Sequence, residues 1–188
     1  AILNTTKKLL GKKDLEGHAP KLLIASKNLT FMKKTLTGLL EQDLKETNSD
    51  YNYDKAHNII TVGNVEWLLI PDEDESNIYG FSCVSCYVDE LDELDTQTAM
   101  AVVKSINDRC RQQVEGFRTP FICFTTSSQG LKGTYQTIMH FKKSGIGYVH
   151  LRARTNDNIY LPNDYVEAMY SIYDEKETAC LLDGDFVS

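Results

Sequence analysis

Two adjacent carboxylates close an apolar run at Tyr87-Val88-Asp89-Glu90. A strand that ends on Asp puts an oxygen ligand where Mg²⁺ can be held, usually through water, because this small hard cation prefers oxygen and keeps part of its hydration shell. The Glu that follows has the chemistry to orient or deprotonate an attacking water. Five carboxylates fall between residues 89 and 95 (Asp89, Glu90, Asp92, Glu93, Asp95), so the run also reads as a solvated acidic loop leading into a helix. A second candidate, Cys123-Phe124-Thr125-Thr126-Ser127, ends the next apolar run on hydroxyls. Thr125, Thr126 and Ser127 have the donors to bond a γ-phosphate or its water, and they are equally the residues that cap an ordinary strand-to-helix turn.

A phosphate-cradling loop would read GxxxxGK[ST]. The only Gly-Lys pair, Gly11-Lys12, is followed by Lys13 and has Thr6 where the first Gly belongs, so no such loop occurs in the 188 residues. Cys83 and Cys86 have CxxC spacing, but on a strand i and i+3 face opposite sides, and no second Cys or His pair complements them. His18, His57, His140 and His150 are scattered and read as surface or edge residues. Arg109, Arg111 and Arg118 gather around one helix-to-strand loop, and Arg152 and Arg154 alternate with Leu151 and Ala153. Arginine is suited to a phosphoryl group or a DNA phosphate, while a solvated face is the ordinary reading.

These residues must be positioned by the elements around them. Residues 2–10 read as a helix with Leu3, Thr6 and Leu10 on one face and Gly11 after it. The continuous apolar run 21–25 fits a strand covered on both sides. Ser26 or Asn28 caps a helix with Leu29, Met32, Leu36, Leu39 and Leu40 inward. Residues 58–62 and 65–70 flank Gly63-Asn64 and read as a β-hairpin, followed by an acidic loop from Pro71 to Gly80. A strand at 82–88 leads to a helix from about 96 to Cys110 with Ala99, Val103, Ile106 and Cys110 inward. A strand at 120–125 leads to a helix at 134–143. A strand at 148–154, a polar loop at 155–158 and helices at 163–173 and 175–182 complete the chain. Strands alternating with helices imply a mostly parallel sheet with right-handed crossovers and one antiparallel hairpin inserted, and ligands bind such sheets at the carboxyl ends of the strands.

Composition sets the outer limits. One domain of 188 residues, 41% apolar and 25% charged, is long enough to bury a core and far from the disordered class. A net charge of −7 argues against a wholly basic coat for nucleic acid but leaves room for a local basic face. No run approaches the roughly 18 apolar residues of a membrane span. Five cysteines, an odd number lying mainly in apolar segments, point to a reducing, cytoplasmic setting.

The order Lys21-Leu-Leu-Ile-Ala-Ser26, the hairpin at Gly63, Ile78-Tyr-Gly-Phe81, Tyr87-Val-Asp-Glu-Leu91 and Phe124-Thr-Thr-Ser127 resembles the ATPase domain of a tailed-phage terminase large subunit. The stretches Arg154-Thr-Asn-Asp-Asn158, Leu161-Pro-Asn-Asp-Tyr165 and Leu182-Asp-Gly-Asp-Phe-Val187 are similar to the segment that closes that domain. The resemblance covers nearly the whole chain. It implies a three-layer α/β/α fold of the P-loop NTPase type (ASCE, RecA-like) and a motor that uses ATP and Mg²⁺ to drive double-stranded DNA into a procapsid. By motif, Asp89 becomes the Mg²⁺-associated Walker B carboxylate, Glu90 the catalytic carboxylate, and Thr125, Thr126 and Ser127 the coupling motif. It further implies a Walker A loop upstream of Ala1, a nuclease domain beyond Ser188, and weak ATP binding by these residues alone. The implied partners are a portal protein, a small terminase subunit and further copies in a ring, in the host cytoplasm and with no membrane. The alternatives are a helicase-like DNA-dependent ATPase and a degenerate docking module.

Overall fold

The computed structural model describes residues 1–71, 78–117, 121–145 and 147–187, with the backbone alone for Leu29. Most of the acidic loop, Arg118, Pro120 and the Leu29 side chain therefore lie outside the described residues. The chain divides into two compact units, residues 1–91 with 101–125 and residues 92–100 with 126–188.

The first unit is built on a six-stranded sheet of order β2-β3-β4-β1-β5-β6. Strands β1 (Lys21–Ser26), β4 (Val65–Pro71), β5 (Ser85–Asp89) and β6 (Phe121–Thr125) run parallel. Strands β2 (Tyr51–Asp54) and β3 (Ile59–Val62) extend the β4 edge antiparallel. Five consecutive residues of β1, Leu22 to Ser26, are buried, because this strand is central and covered on both faces. Gly63 turns the β3-β4 hairpin with φ +58, a conformation that favours a residue without Cβ. A Cβ there would also meet the Leu10 side chain at 2.8 Å.

Helix α1 (Ile2–Leu9) buries Thr5, Thr6 and Leu9. Its inner face therefore differs from the expected Leu3, Thr6 and Leu10; Leu10 is 44% exposed because the helix ends at Leu9 and the chain turns through Gly11 at φ +74. The two hydroxyls are buried because each has a partner: Thr5 Oγ1 lies 2.5 Å from Tyr87 OH, and the Trp67 indole N–H donates to Thr6 Oγ1 at 2.9 Å.

The second helical region begins at α2 (Leu29–Phe31), where the Asn28 carboxamide accepts from the Phe31 N–H, passes through a π-helical stretch (Met32–Leu36) and continues as α3 (Thr37–Glu46). The π stretch adds a residue to the turn and shifts the phase of everything after it. Met32, Thr37, Leu40 and Leu44 are buried, while Leu39, expected inward, is 57% exposed. The Thr37 hydroxyl donates to Met32 O, five residues back, at 2.8 Å. In α4 (Thr96–Arg109) the expected Ala99, Val103 and Ile106 are buried together with Val102.

Strand β5 begins three residues later than expected. The Cys83 N–H bonds Arg109 O, so Cys83 precedes the strand, and its sulfur lies 3.6 Å from that of Cys110. This contact and burial push the Cys83 thiol far above its ordinary range.

The second unit contains α5 (Gly133–Ser144), α6 (Asn163–Ile172) and α7 (Glu175–Glu177), which continues as a π turn over Thr178–Leu182. The strand expected at 148–154 is not formed: the segment pairs with no described strand and leaves Val149 and Leu151 85% and 87% exposed. It is held by side chains instead, with Arg152 bonded to the carbonyl of Asp183 and the carboxylate of Asp185, so Arg152 and Arg154 do not form a strand face. Among the described residues, no helix is long and apolar enough to cross a membrane.

Candidate functional site at the carboxyl ends of β1, β5 and β6

In the register of the parallel strands β1, β5 and β6, Ser26, Asp89 and Thr125 are the terminal residues and pair across in one row. Strand alternation then puts Ile24, Tyr87 and Cys123 on the same sheet face, one step inward. The Thr125 hydroxyl donates to Asp89 Oδ1 at 2.9 Å and lies 3.3 Å from Val88 O. Asp89 is half-buried, so its carboxylate is oriented by the neighbouring strand while still reaching solvent.

Glu90 follows at φ +55, in the left-handed region, and its N–H donates to Thr125 O at 2.7 Å. A side chain there costs about 1–3 kcal/mol, and such strain concentrates where a side chain must be aimed. Only two other non-glycine residues among those described, Asn48 and Asn58, have positive φ, and asparagine tolerates it far better than glutamate.

A cavity of about 230 Å³ opens on this row. Its walls are the start of α1 (Ala1, Ile2, Leu3), residues Leu36, Leu40 and Asp43, and the strand residues Ile24, Tyr87, Val88, Asp89, Cys123 and Thr125. The first amide groups of α1 have no intrahelical acceptor. The cavity thus combines a helix N-terminus, which favours an anion, with a carboxylate that favours a cation.

Ser26 belongs to this row although its type and spacing gave no reason to single it out for chemistry. Its hydroxyl is buried and has no hydrogen-bond partner among the described residues. Among the described residues, no cluster of three or more His, Cys, Asp or Glu side chains forms a metal site. A single carboxylate fits an ion that keeps most of its water, as Mg²⁺ does.

The expected coupling residues divide between the two units. Thr125 closes β6 in the first, and Thr126 and Ser127 open the loop of the second. Thr126 Oγ1 accepts the Asp92 N–H at 3.1 Å and lies 3.2 Å from Ser127 O. The structure therefore brings Asp89 and Thr125 together on the cavity and ties Glu90 to Thr125 through its backbone N–H, with Glu90 outside the cavity lining and with Thr126 and Ser127 bound into the chain that follows.

A mostly parallel six-stranded sheet with an antiparallel extension, flanked by helices, is the mixed α/β fold that this chain shares with solved structures. Among the solved structures it is similar to are phage large terminases. The large terminase of a thermophilic bacteriophage superposes with a TM-score of 0.74 at 18% identity, covering 90% of this chain and 41% of that one. The same terminase has been solved with ADP (TM-score 0.73) and with ATP-gamma-S (0.69). The HK97 bacteriophage large terminase matches at 0.58 with 11% identity over 97% of this chain and 43% of that one. The large terminase ATPase domain of Thermus phage P74-26 matches at 0.59 with 12% identity, covering 92% and 79%. The chain spans about two fifths of the length of the first of these terminases and of the HK97 protein. At these identities the likeness is one of fold. No protein-family model and no curated protein sequence matches the chain.

Proposed function

We propose that this chain is the ATP-hydrolysing module of a tailed-phage DNA-packaging motor, with Glu90 as the carboxylate that activates water. The observation that carries the reading is the strained Glu90 directly after an Asp89 oriented by Thr125, at the carboxyl edge of a fold shared with large terminases. Nucleotide-bound terminases of the same fold support ATP as the ligand.

In this reading the Glu90 carboxylate accepts a proton from the attacking water, and its left-handed backbone fixes the direction from which it does so. Thr125 holds the Asp89 carboxylate in one rotamer, and the N-terminus of α1 faces the phosphates. Asp89 would hold Mg²⁺ through water, and the ion would supply positive charge to the transferring phosphoryl group. Thr126 and Ser127 pass the state of the site to α5. Double-stranded DNA is the substrate moved, the portal protein, small terminase subunit and further copies in a ring are the partners, and the host cytoplasm is the setting.

The test is Glu90→Gln in the encoded protein, followed by release of inorganic phosphate and by binding of a fluorescent ATP analogue. Turnover is expected to fall about a hundredfold or more with binding retained, as for loss of a general base. Unchanged turnover removes Glu90 from its role.

A further inference from the structure

Asp92 is a fully buried carboxylate that the sequence presents as one of several acids in a solvated loop. Its oxygens are both taken by backbone amides of the segment after β6: the Thr134 N–H donates to Oδ1 at 2.7 Å and the Gln129 N–H to Oδ2 at 3.2 Å. Its own N–H donates to Thr126 Oγ1 at 3.1 Å. Thr134 is the second residue of α5, whose N-cap residue Lys132 supplies no side-chain cap, so Asp92 caps that helix from a distant point in the chain. The neighbouring Glu93 accepts from the Gln129 carboxamide at 2.8 Å, which adds a second tie to the same loop.

The place of these bonds in the chain gives them meaning. The backbone passes from the first unit to the second at Leu91–Asp92, directly after Asp89 and Glu90, and again at Thr125–Thr126. Asp92 and Thr126 are the first residues beyond the two passages and are bonded to each other. Within the loop between Thr126 and Thr134, Gly130 sits at φ +87, where a Cβ would lie 2.8 Å from Val187 O, so this turn requires glycine.

We infer that Asp92 is a positioning residue, a yoke that ties the segment after Glu90 to the loop after β6 and to the start of α5, so that a displacement at Glu90 moves α5. This rests on the ATPase reading and deepens it. An isolated cap would stabilise α5 alone, whereas a carboxylate shared between Gln129 and Thr134, on a residue whose amide holds Thr126, makes three points of one loop follow one residue.

The test compares Asp92→Asn and Asp92→Ala with the parent in the encoded protein. The carboxamide introduced by Asp92→Asn keeps one acceptor for the Thr134 N–H but presents a donor to the Gln129 N–H; the alanine variant loses both bonds. Backbone hydrogen exchange is read at Gln129 and Thr134, alongside ATP hydrolysis. Exchange at Gln129 is expected to rise about tenfold in Asp92→Asn, and at both residues in Asp92→Ala. In Asp92→Asn, kcat is expected to fall about tenfold with KM for ATP within about twofold.

Parental exchange at both amides would overturn the yoke. Faster exchange throughout the chain, with kcat and KM impaired together, would show a structural role only and overturn it equally. Parent hydrolysis with unaltered kcat in Asp92→Asn overturns the yoke while leaving the ATPase reading intact. A parent that hydrolyses no ATP overturns that reading and the coupling role with it.

Discussion

Backbone strain at Glu90 can be measured by comparing two truncations, Glu90→Ala and Glu90→Gly. Both delete every side-chain atom beyond Cβ and both keep the N–H that donates to Thr125 O, so whatever the carboxylate contributes is lost equally. The two variants differ in the Cβ at φ +55. A Cβ in the left-handed region costs about 1–2 kcal/mol, whereas glycine loses about 0.4–1 kcal/mol more unfolded-chain entropy on folding. At the midpoints of these ranges Glu90→Gly is more stable than Glu90→Ala by about 0.8 kcal/mol, the reverse of the order at an ordinary position. For a chain of this size that is a gap of about 1–4 °C in Tm, read by far-UV circular dichroism in parallel melts. An alanine variant that melts at or above the glycine variant would show that Glu90 carries no strain, and the argument that this backbone aims the carboxylate would fall with it.

The other predictions concern the elements around the site. The Asp95 carboxyl is held below the usual carboxylate range, first by the Thr98 hydroxyl at 2.5 Å and then by the Thr98 and Gln97 amides. Its contribution to stability is complete above the ordinary Asp pKa of about 3.9 and is lost as pH falls through the lower folded value. Asp95→Asn should therefore flatten the acid limb of the urea midpoint plotted against pH, and an unchanged limb would contradict it. Past the π stretch, Leu40→Ala should cost about 2–5 kcal/mol in urea unfolding and Leu39→Ala no more than about 0.5; the opposite order would mean that the helix keeps a regular α phase.

The carboxyl edge was legible because it depends on local chemistry. Apolar runs long enough for one strand, each ended by Asp-Glu or by Thr-Thr-Ser, place their polar residues at a sheet edge wherever the strands happen to lie. Residues whose meaning is tertiary were not legible in this way. Asp92 reads as one acid among five until the chain folds the 129–134 amides onto it. Strand β2, Tyr-Asn-Tyr-Asp, does alternate, with Tyr51 and Tyr53 against the core, but a four-residue edge strand is too short for that alternation to stand out from the polar residues around it. The alternation at 148–154 is genuine, but a strand also needs a neighbour to take its backbone bonds, and none of the described strands provides one. The inserted residue of the π stretch could not be read from spacing, since a period of 3.6 assumes the regularity that it breaks.

The hold on α1 by Thr5 and Thr6 bears on how its first amides are aimed. A helix seated on its sheet by leucines alone is fixed in depth but comparatively loose in azimuth, because apolar contact is nondirectional and a small roll exchanges one methyl for another. Here a phenol and an indole grip two adjacent hydroxyls on consecutive helical positions, and hydrogen bonds do not survive such a roll. The axis of α1 is therefore keyed like a shaft in its collar. Its end cannot swing away from Asp89 without breaking a buried bond to the strand that carries Asp89.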